Sequence, residues 1–234
     1  MRFRTVVLAV LAFAIAMAYL ESAVVVYLQR ALAMTPDTLF PLRGQQVLGD
    51  LAAIEVGREA ATLVMLAAIG CLVGRRWADR LAWTAVAFGV WDLFYYIWLW
   101  VFIGWPHSLG TWDVLFLIPV PWAAPVWAPA AVSAALIGSG LAAAYSVRAG
   151  RMPRVGLVRG AGAVAGGLLV VGSFTANTPT LIDGGLPGWY PWPLFVAGMA
   201  LAGWSTVASL RAGTVGAGGT RQGRSLSRGL EPDA

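Results

Sequence analysis

Residues 81–103, LAWTAVAFGVWDLFYYIWLWVFI, hold one ionisable side chain, Asp92, in an otherwise apolar and aromatic run. A helix rises about 1.5 Å per residue, so about 20 such residues cross the hydrocarbon layer of a bilayer. A soluble domain has no use for a helix that is apolar on every side. Lipid accepts one, because a helix closes its backbone hydrogen bonds within itself. The run therefore reads as a membrane span, and Asp92 as the residue in it that needs a reason.

The same pattern recurs on both sides. Comparable runs cover residues 6–28, 47–73, 123–146, 156–174 and 189–210. Of the 234 residues, 59% are hydrophobic and 12% charged, about half the charged share of a soluble domain. The expected fold is all-α: a polytopic integral membrane helix bundle of about six transmembrane helices, forming a single domain over residues 1–210. The Arg-, Gly- and Ser-rich stretch 211–234 has the composition of a disordered cytoplasmic tail.

Arginine placement sets an expected orientation. Arg2 and Arg4 precede the first run, and Arg75, Arg76 and Arg80 fill the turn after the second. Arg148, Arg151 and Arg154 follow the fourth, and Arg211, Arg221, Arg224 and Arg228 follow the sixth. The alternate loops carry only Arg30 and Arg43. The positive-inside rule then puts both termini in the cytoplasm. The net charge of +5 follows this loop pattern, not a basic stripe with interleaved aromatics, so it argues for a membrane partner and against nucleic acid. The chain has no lysine, a bias of GC-rich genomes, and the expected setting is a bacterial cell membrane. Residues 2–18 imitate a signal peptide, but the apolar run continues to Leu28, which predicts a retained span. Cys71, the single cysteine, reads as core filler.

Tryptophan falls on the opposite side. Trp98, Trp100, Trp105, Trp112, Trp122, Trp127, Trp189 and Trp192 predict an aromatic belt at the outer face. Pro119, Pro121, Pro125 and Pro129 predict an irregular outer segment over residues 115–129, a lid before the fourth helix. In the fifth run, Gly162 and Gly166 form a GxxxG pattern, with Gly167 and Gly172 beyond. Small residues let helix backbones touch, and Gly138 and Gly140 of the fourth run are the expected partner surface. The same glycine face is a candidate oligomer contact.

Ionisable groups lie deep in the first three runs: Glu21, then Glu55, Arg58 and Glu59, then Asp92, with Asp50 nearer an end. Each costs roughly 2.5–3.5 kcal/mol at the centre of a membrane on insertion scales, so they are expected to face inward and satisfy one another. Glu55, Arg58 and Glu59 sit three and four residues apart, on one face. Fully ionised, the five carry a net charge of −3. Either some acids keep their protons or a cation compensates. Carboxylates suit a hard divalent ion, which makes Glu21, Glu55, Glu59 and Asp92 a candidate metal set, although the Glu-x-x-His element of di-iron bundles is absent.

Three functions compete. The leading one is an enzyme for a lipophilic small molecule, with Glu59 and Asp92 as acid or base and Glu55 and Glu21 as their partners. Arg58, Tyr95, Tyr96, His107 and Asp113 are then the candidate substrate contacts. The second is a proton- or cation-coupled transporter, opposed by the apolar stretches 6–18 and 63–73. The third is a non-catalytic assembly or sensor subunit. An architectural alternative runs under all three: Arg58 pairs with Glu55 and a second acid to pin the first helices together.

Overall fold

A computed structural model describes residues 2–31, 46–183, 185 and 187–215, with side chains except at 46–52 and 214–215. Helix α1 (Phe3–Ala31) is followed by α2 (Gln46–Val73) and α3 (Trp77–Ile103). Strands β1 (Trp112–Phe116) and β2 (Trp122–Pro125) come next, then α4 (Trp127–Arg148), β3 (Arg151–Met152) and α5 (Leu157–Thr175). A short α6 (Thr178–Ile182), α7 (Trp192–Arg211) and β4 (Thr214–Val215) complete the order. Six helical segments are long and apolar enough to cross a membrane, the fifth running from α5 through α6. Asp50 falls among the residues whose side chains are not described, and Arg43 and residues 216–234 lie outside the described residues.

Helix α3 is the hub, packed on α1, α2 and α4. Val10, Ala14, Trp83, Val86, Ala87 and Ala144 are wholly buried where α1, α3 and α4 meet. It stops at Gly104, whose left-handed φ of +69° lets its N–H reach back to the carbonyl of Trp100. The rings of Phe3, Trp83 and Tyr145 meet, and Arg148 lies over Phe3. Arg154 N–H donates to the Ser209 carbonyl at 3.1 Å. The start of α1, the start of α3 and the ends of α4 and α7 therefore share one end of the bundle, the end that carries the arginines.

Helices α5 and α7 form the second tight pair. A Cβ on Gly166 would lie 2.5 Å from the Ala202 nitrogen and 2.7 Å from the Gly198 carbonyl oxygen. The glycine face of α5 is thus filled by Gly198, Ala202 and Ser205 of α7, not by α4 as its sequence suggested. Gly140 packs instead on the Ala82 carbonyl of α3, and Gly138 faces open space. Gly162 and Gly166 of α5 are thus engaged within the chain, while Gly167 faces open space.

Four further expectations are revised. The segment before α4 is not irregular: β1 and β2 pair antiparallel, with Asp113 opposite Ala124 and Phe116 opposite Trp122. Pairing satisfies backbone groups that prolines would otherwise leave open, and α4 starts at Trp127, with Pro129 in its first turn, where proline is tolerated. Much of the tryptophan belt is half-buried, ring packed on ring. Trp127 stacks on Trp192 at 3.6 Å, Tyr190 packs on Trp112, Trp127 and Trp192, and Trp105 is buried, while Trp100 and Trp189 stay exposed. The tail begins ordered, since Thr214–Val215 pairs with Arg151–Met152. Cys71 is exposed on the outside of α2.

Gly166→Ala should overpack the α5–α7 contact and cost roughly 1–3 kcal/mol, read as a lower melting temperature in detergent. At the adjacent Gly167 an added Cβ meets nothing within 4 Å, so Gly167→Ala should melt like the parent protein. Equal melting of all three would mean that α5 and α7 do not touch at Gly166.

Candidate functional site

Helix α2 is inside-out relative to a soluble helix. Ile54, Val64 and Leu72 point outward, while Glu55, Arg58, Glu59 and Thr62 form a polar stripe at helical spacing. Lipid dictates this, since it solvates apolar side chains and offers polar ones nothing. Every member of the stripe is engaged. The Arg58 guanidinium pairs with Glu21 of α1 and Glu55 of its own helix. Its Nε–H also donates to Glu55 Oε2 at 2.9 Å. Thr62 donates to Glu21 Oε2 at 3.1 Å. Glu59, 6% exposed, accepts the Leu117 N–H with both oxygens, at 2.9 and 3.1 Å. The architectural reading of Arg58 therefore describes its geometry: the guanidinium is spent on two acids, and no headgroup is needed to neutralise it.

Helix α3 contributes the second set. Asp92, 9% exposed, accepts the Ser133 hydroxyl of α4 at 2.8 Å through Oδ2. Tyr96, one turn on, donates its hydroxyl to Asp113 Oδ2 of β1 at 2.9 Å. The Tyr95 carbonyl accepts the Ser22 hydroxyl at 3.0 Å, and its ring packs edge-on against Tyr96. His107 is exposed in the turn between α3 and β1.

The four acids are held by different partners. Among the described residues, no three His, Cys, Asp or Glu side chains are grouped to hold a metal ion. The reason is visible in the partners: a guanidinium sits between Glu21 and Glu55, an amide takes Glu59, and a serine takes Asp92. Glu59 and Asp92 hold different partners, the Leu117 N–H and the Ser133 hydroxyl.

A space among the described residues has the size of a ligand site. A cleft of about 740 Å³ runs between α4 on one side and α5 and α7 on the other, where α4 meets α7 only thinly. Its floor includes Phe88 and Asp92 of α3, and the hairpin closes one end with Leu115, Phe116 and Trp122. Gly138, Gly167 and Gly203 line it from three helices, and a Cβ on any of them would meet nothing within 4 Å. Asp92 is the one ionisable side chain among the lining residues. Sequence reading singled out Asp92 but missed Ser133, Thr62, the Leu117 amide and Gly203. A serine or glycine in an apolar run signals only close packing until a neighbour is known. No protein-family description, curated protein or solved structure matches the chain.

Two measurements probe this layout. Arg58→Leu leaves Glu21 and Glu55 without their cation and should cost about 3 kcal/mol. Adding Glu21→Gln to that variant should restore part of the melting temperature, and no recovery would contradict the pairing. Asp113 lies outside the spanning helices, and burial pushes its carboxyl up from 3.8 to about 7 against the opposing Tyr96 hydrogen bond. The folded protein then holds a proton that the unfolded chain releases above about pH 4. The stability this contributes is complete below pH 3.8 and is lost as pH rises through about 7. The protection factors of hairpin amides, taken relative to the base-catalysed rate that every amide shares, should fall across that window in the parent protein and lose this dependence in Asp113→Asn.

Proposed function

We propose that the protein is a cell-membrane enzyme, with both termini cytoplasmic, that binds a lipophilic small molecule in the cleft and transfers a proton at Asp92. The observation that carries this reading is a lone, nine-tenths buried carboxyl in an apolar cleft of about 740 Å³. That volume lies within the roughly 300–1,000 Å³ typical of small-molecule sites. Arginines gathered at one end of the bundle support the orientation.

Chemistry at a single carboxyl is restricted. Glu59 is held by Leu117, Glu21 and Glu55 by Arg58, and Asp113 by Tyr96, so Asp92 is the acid that lines the cleft. One group can still take a proton from one carbon of a molecule and return it to another, as in moving a double bond. That reaction needs no co-reactant and leaves the carboxyl as it began. Ser133 fixes one oxygen of Asp92 and leaves the other for substrate. Coupled ion transport has less support. Toward the arginine end, the space between α1, α2 and α3 is filled by Val6, Val10, Leu66, Trp83 and Val86, which give a proton no relay.

The test is solvent exchange. Protein purified in mild detergent and held in deuterated water should carry a co-purified lipophile that gains deuterium at a carbon position, read by mass spectrometry. Asp92→Asn should retain the molecule and stop the gain. Absence of any bound lipophile, or equal labelling in the variant, would sink the proposal.

A further inference from the structure

The cleft is shut at one end and open at the other. Near the hairpin its walls are buried: Asp92, Val170 and Phe174 are each 9% exposed or less. Toward the arginine end the lining residues Gly138, Ala142, Gly203 and Val207 are exposed. Two arginines stand at this open end. Arg159 lies one turn before Ala163 on α5, on the face that Ala163, Gly167 and Phe174 turn to the cleft. Arg211 ends α7, directly after the lining residue Leu210 and one turn after Val207. The Cα–Cβ bond of a helical residue tilts toward the helix N-terminus, so the Arg211 side chain starts out toward the cleft.

The two arginines are close neighbours. Arg159 Nη1–H donates to the Arg154 carbonyl at 2.6 Å, and the Arg154 N–H donates to the Ser209 carbonyl of α7 at 3.1 Å. A guanidinium has five N–H donors, and the first of these bonds uses one. Among the described residues, no acid forms an ion pair with Arg159 or Arg211. Between them and Asp92 the wall offers a charged group nothing. The Ser139 hydroxyl donates to the Leu136 carbonyl and the Thr206 hydroxyl to the Ala202 carbonyl, both within their own helices. From Ser133, which holds Asp92, to the lining residue Ala142 is nine residues, on the order of 14 Å at helical rise. An anionic group at the open end is therefore beside two guanidinium groups and far from the carboxyl.

We infer that the molecule taken by this cleft is an anionic lipid from the leaflet at the arginine end, its headgroup bound by Arg159 and Arg211 and a hydrocarbon chain laid along the cleft to Asp92. The inference rests on the cleft reading above and narrows it. Guanidinium groups grip phosphate and carboxylate oxygens in pairs, and the headgroup stays at the interface while its chain reaches the carboxyl. Asp92 then meets a chain carbon far from the headgroup, which suits the movement of a double bond and not chemistry on the headgroup. A cationic head is repelled at the open end, and a neutral head gains no charge pairing there. Arg148 belongs to the same end of the bundle but lies over the Phe3 ring.

Three probes of matched chain length separate the classes: hexadecyl phosphate, hexadecanol and hexadecylammonium, offered in equal amounts to the detergent-solubilised protein and read by native mass spectrometry. Hexadecyl phosphate should be retained about tenfold over each of the others, the scale of one hydrogen bond to a charged group. Arg159→Gln combined with Arg211→Gln should bring its retention down to that of hexadecanol. Arg4→Gln removes an exposed arginine of the same end that is outside the lining, and should leave the preference as it was. Gly167→Leu and Gly203→Leu grow side chains into open space and should abolish retention of every probe, with melting unchanged. Retention of the alcohol or the ammonium equal to that of the phosphate, abolished by the two leucine variants, would overturn the anionic headgroup and leave the cleft standing. A phosphate preference that the double glutamine variant keeps, or that Arg4→Gln loses equally, would overturn the assignment to Arg159 and Arg211. Retention indifferent to both leucine variants, or no retention of any probe, would overturn the cleft as well.

Discussion

A backbone N–H removed from water must find an acceptor, and that of Leu117 finds both oxygens of Glu59. Much of the site depends on this bond. It ties the tip of the β1–β2 hairpin to α2, while Thr178 of α6 holds the other side of the tip through the Pro121 carbonyl at 2.6 Å. Clamped between two helices, the hairpin becomes a fixed wall. Phe116 then packs on Phe88 and Trp91 of α3, Trp122 packs on Phe174 of α5, and the end of the cleft is closed. Non-helical backbone joined to membrane-spanning helices persists only where protein supplies its hydrogen bonds, and here a carboxylate does so.

Two kinds of acid result. Glu21, Glu55 and Glu59 each answer to a fixed group, a guanidinium or an amide, and their bonds tie α2 to α1 and to the hairpin. Asp92 answers to one serine and otherwise faces a cleft. The cleft exists because two tight helix pairs, α3 on α4 and α5 on α7, are each sealed by backbone-close glycine contacts at Gly140 and at Gly166. Between the pairs, Gly138, Gly167 and Gly203 present no side chains to fill the gap. Glycine thus does opposite things on neighbouring faces of one helix: Gly166 closes a contact and Gly167 opens a space.

The helices were legible because their cause is local. Apolar length fixes a span, and the expected 81–103 and 47–73 fall within the observed α3 and α2. The inward stripe of α2 was legible for the same reason, since residues 55, 58, 59 and 62 share a face by spacing alone. What failed depends on neighbours distant in sequence. Prolines between residues 115 and 129 hid a hairpin whose pairing needs both strands at once. The glycine partner of α5 was assigned to α4 because GxxxG names a face but not what meets it. The four acids read as one cluster because depth along a helix is visible in sequence and azimuth between helices is not. For that reason Asp92 was recognised as important, while its partner Ser133 emerged only with the fold.

Photolabelling tests the cleft most directly. A long-chain lipophile bearing a diazirine, activated in the reconstituted protein and mapped by peptide mass spectrometry, reports which helix faces touch the bound molecule. Insertion should concentrate at cleft-lining positions such as Val170 and Met199, and compete away with the unlabelled lipophile. Labelling spread over the outward residues Val164, Leu168 and Val196, without competition, would place the probe in bulk lipid and contradict a binding cleft at Asp92.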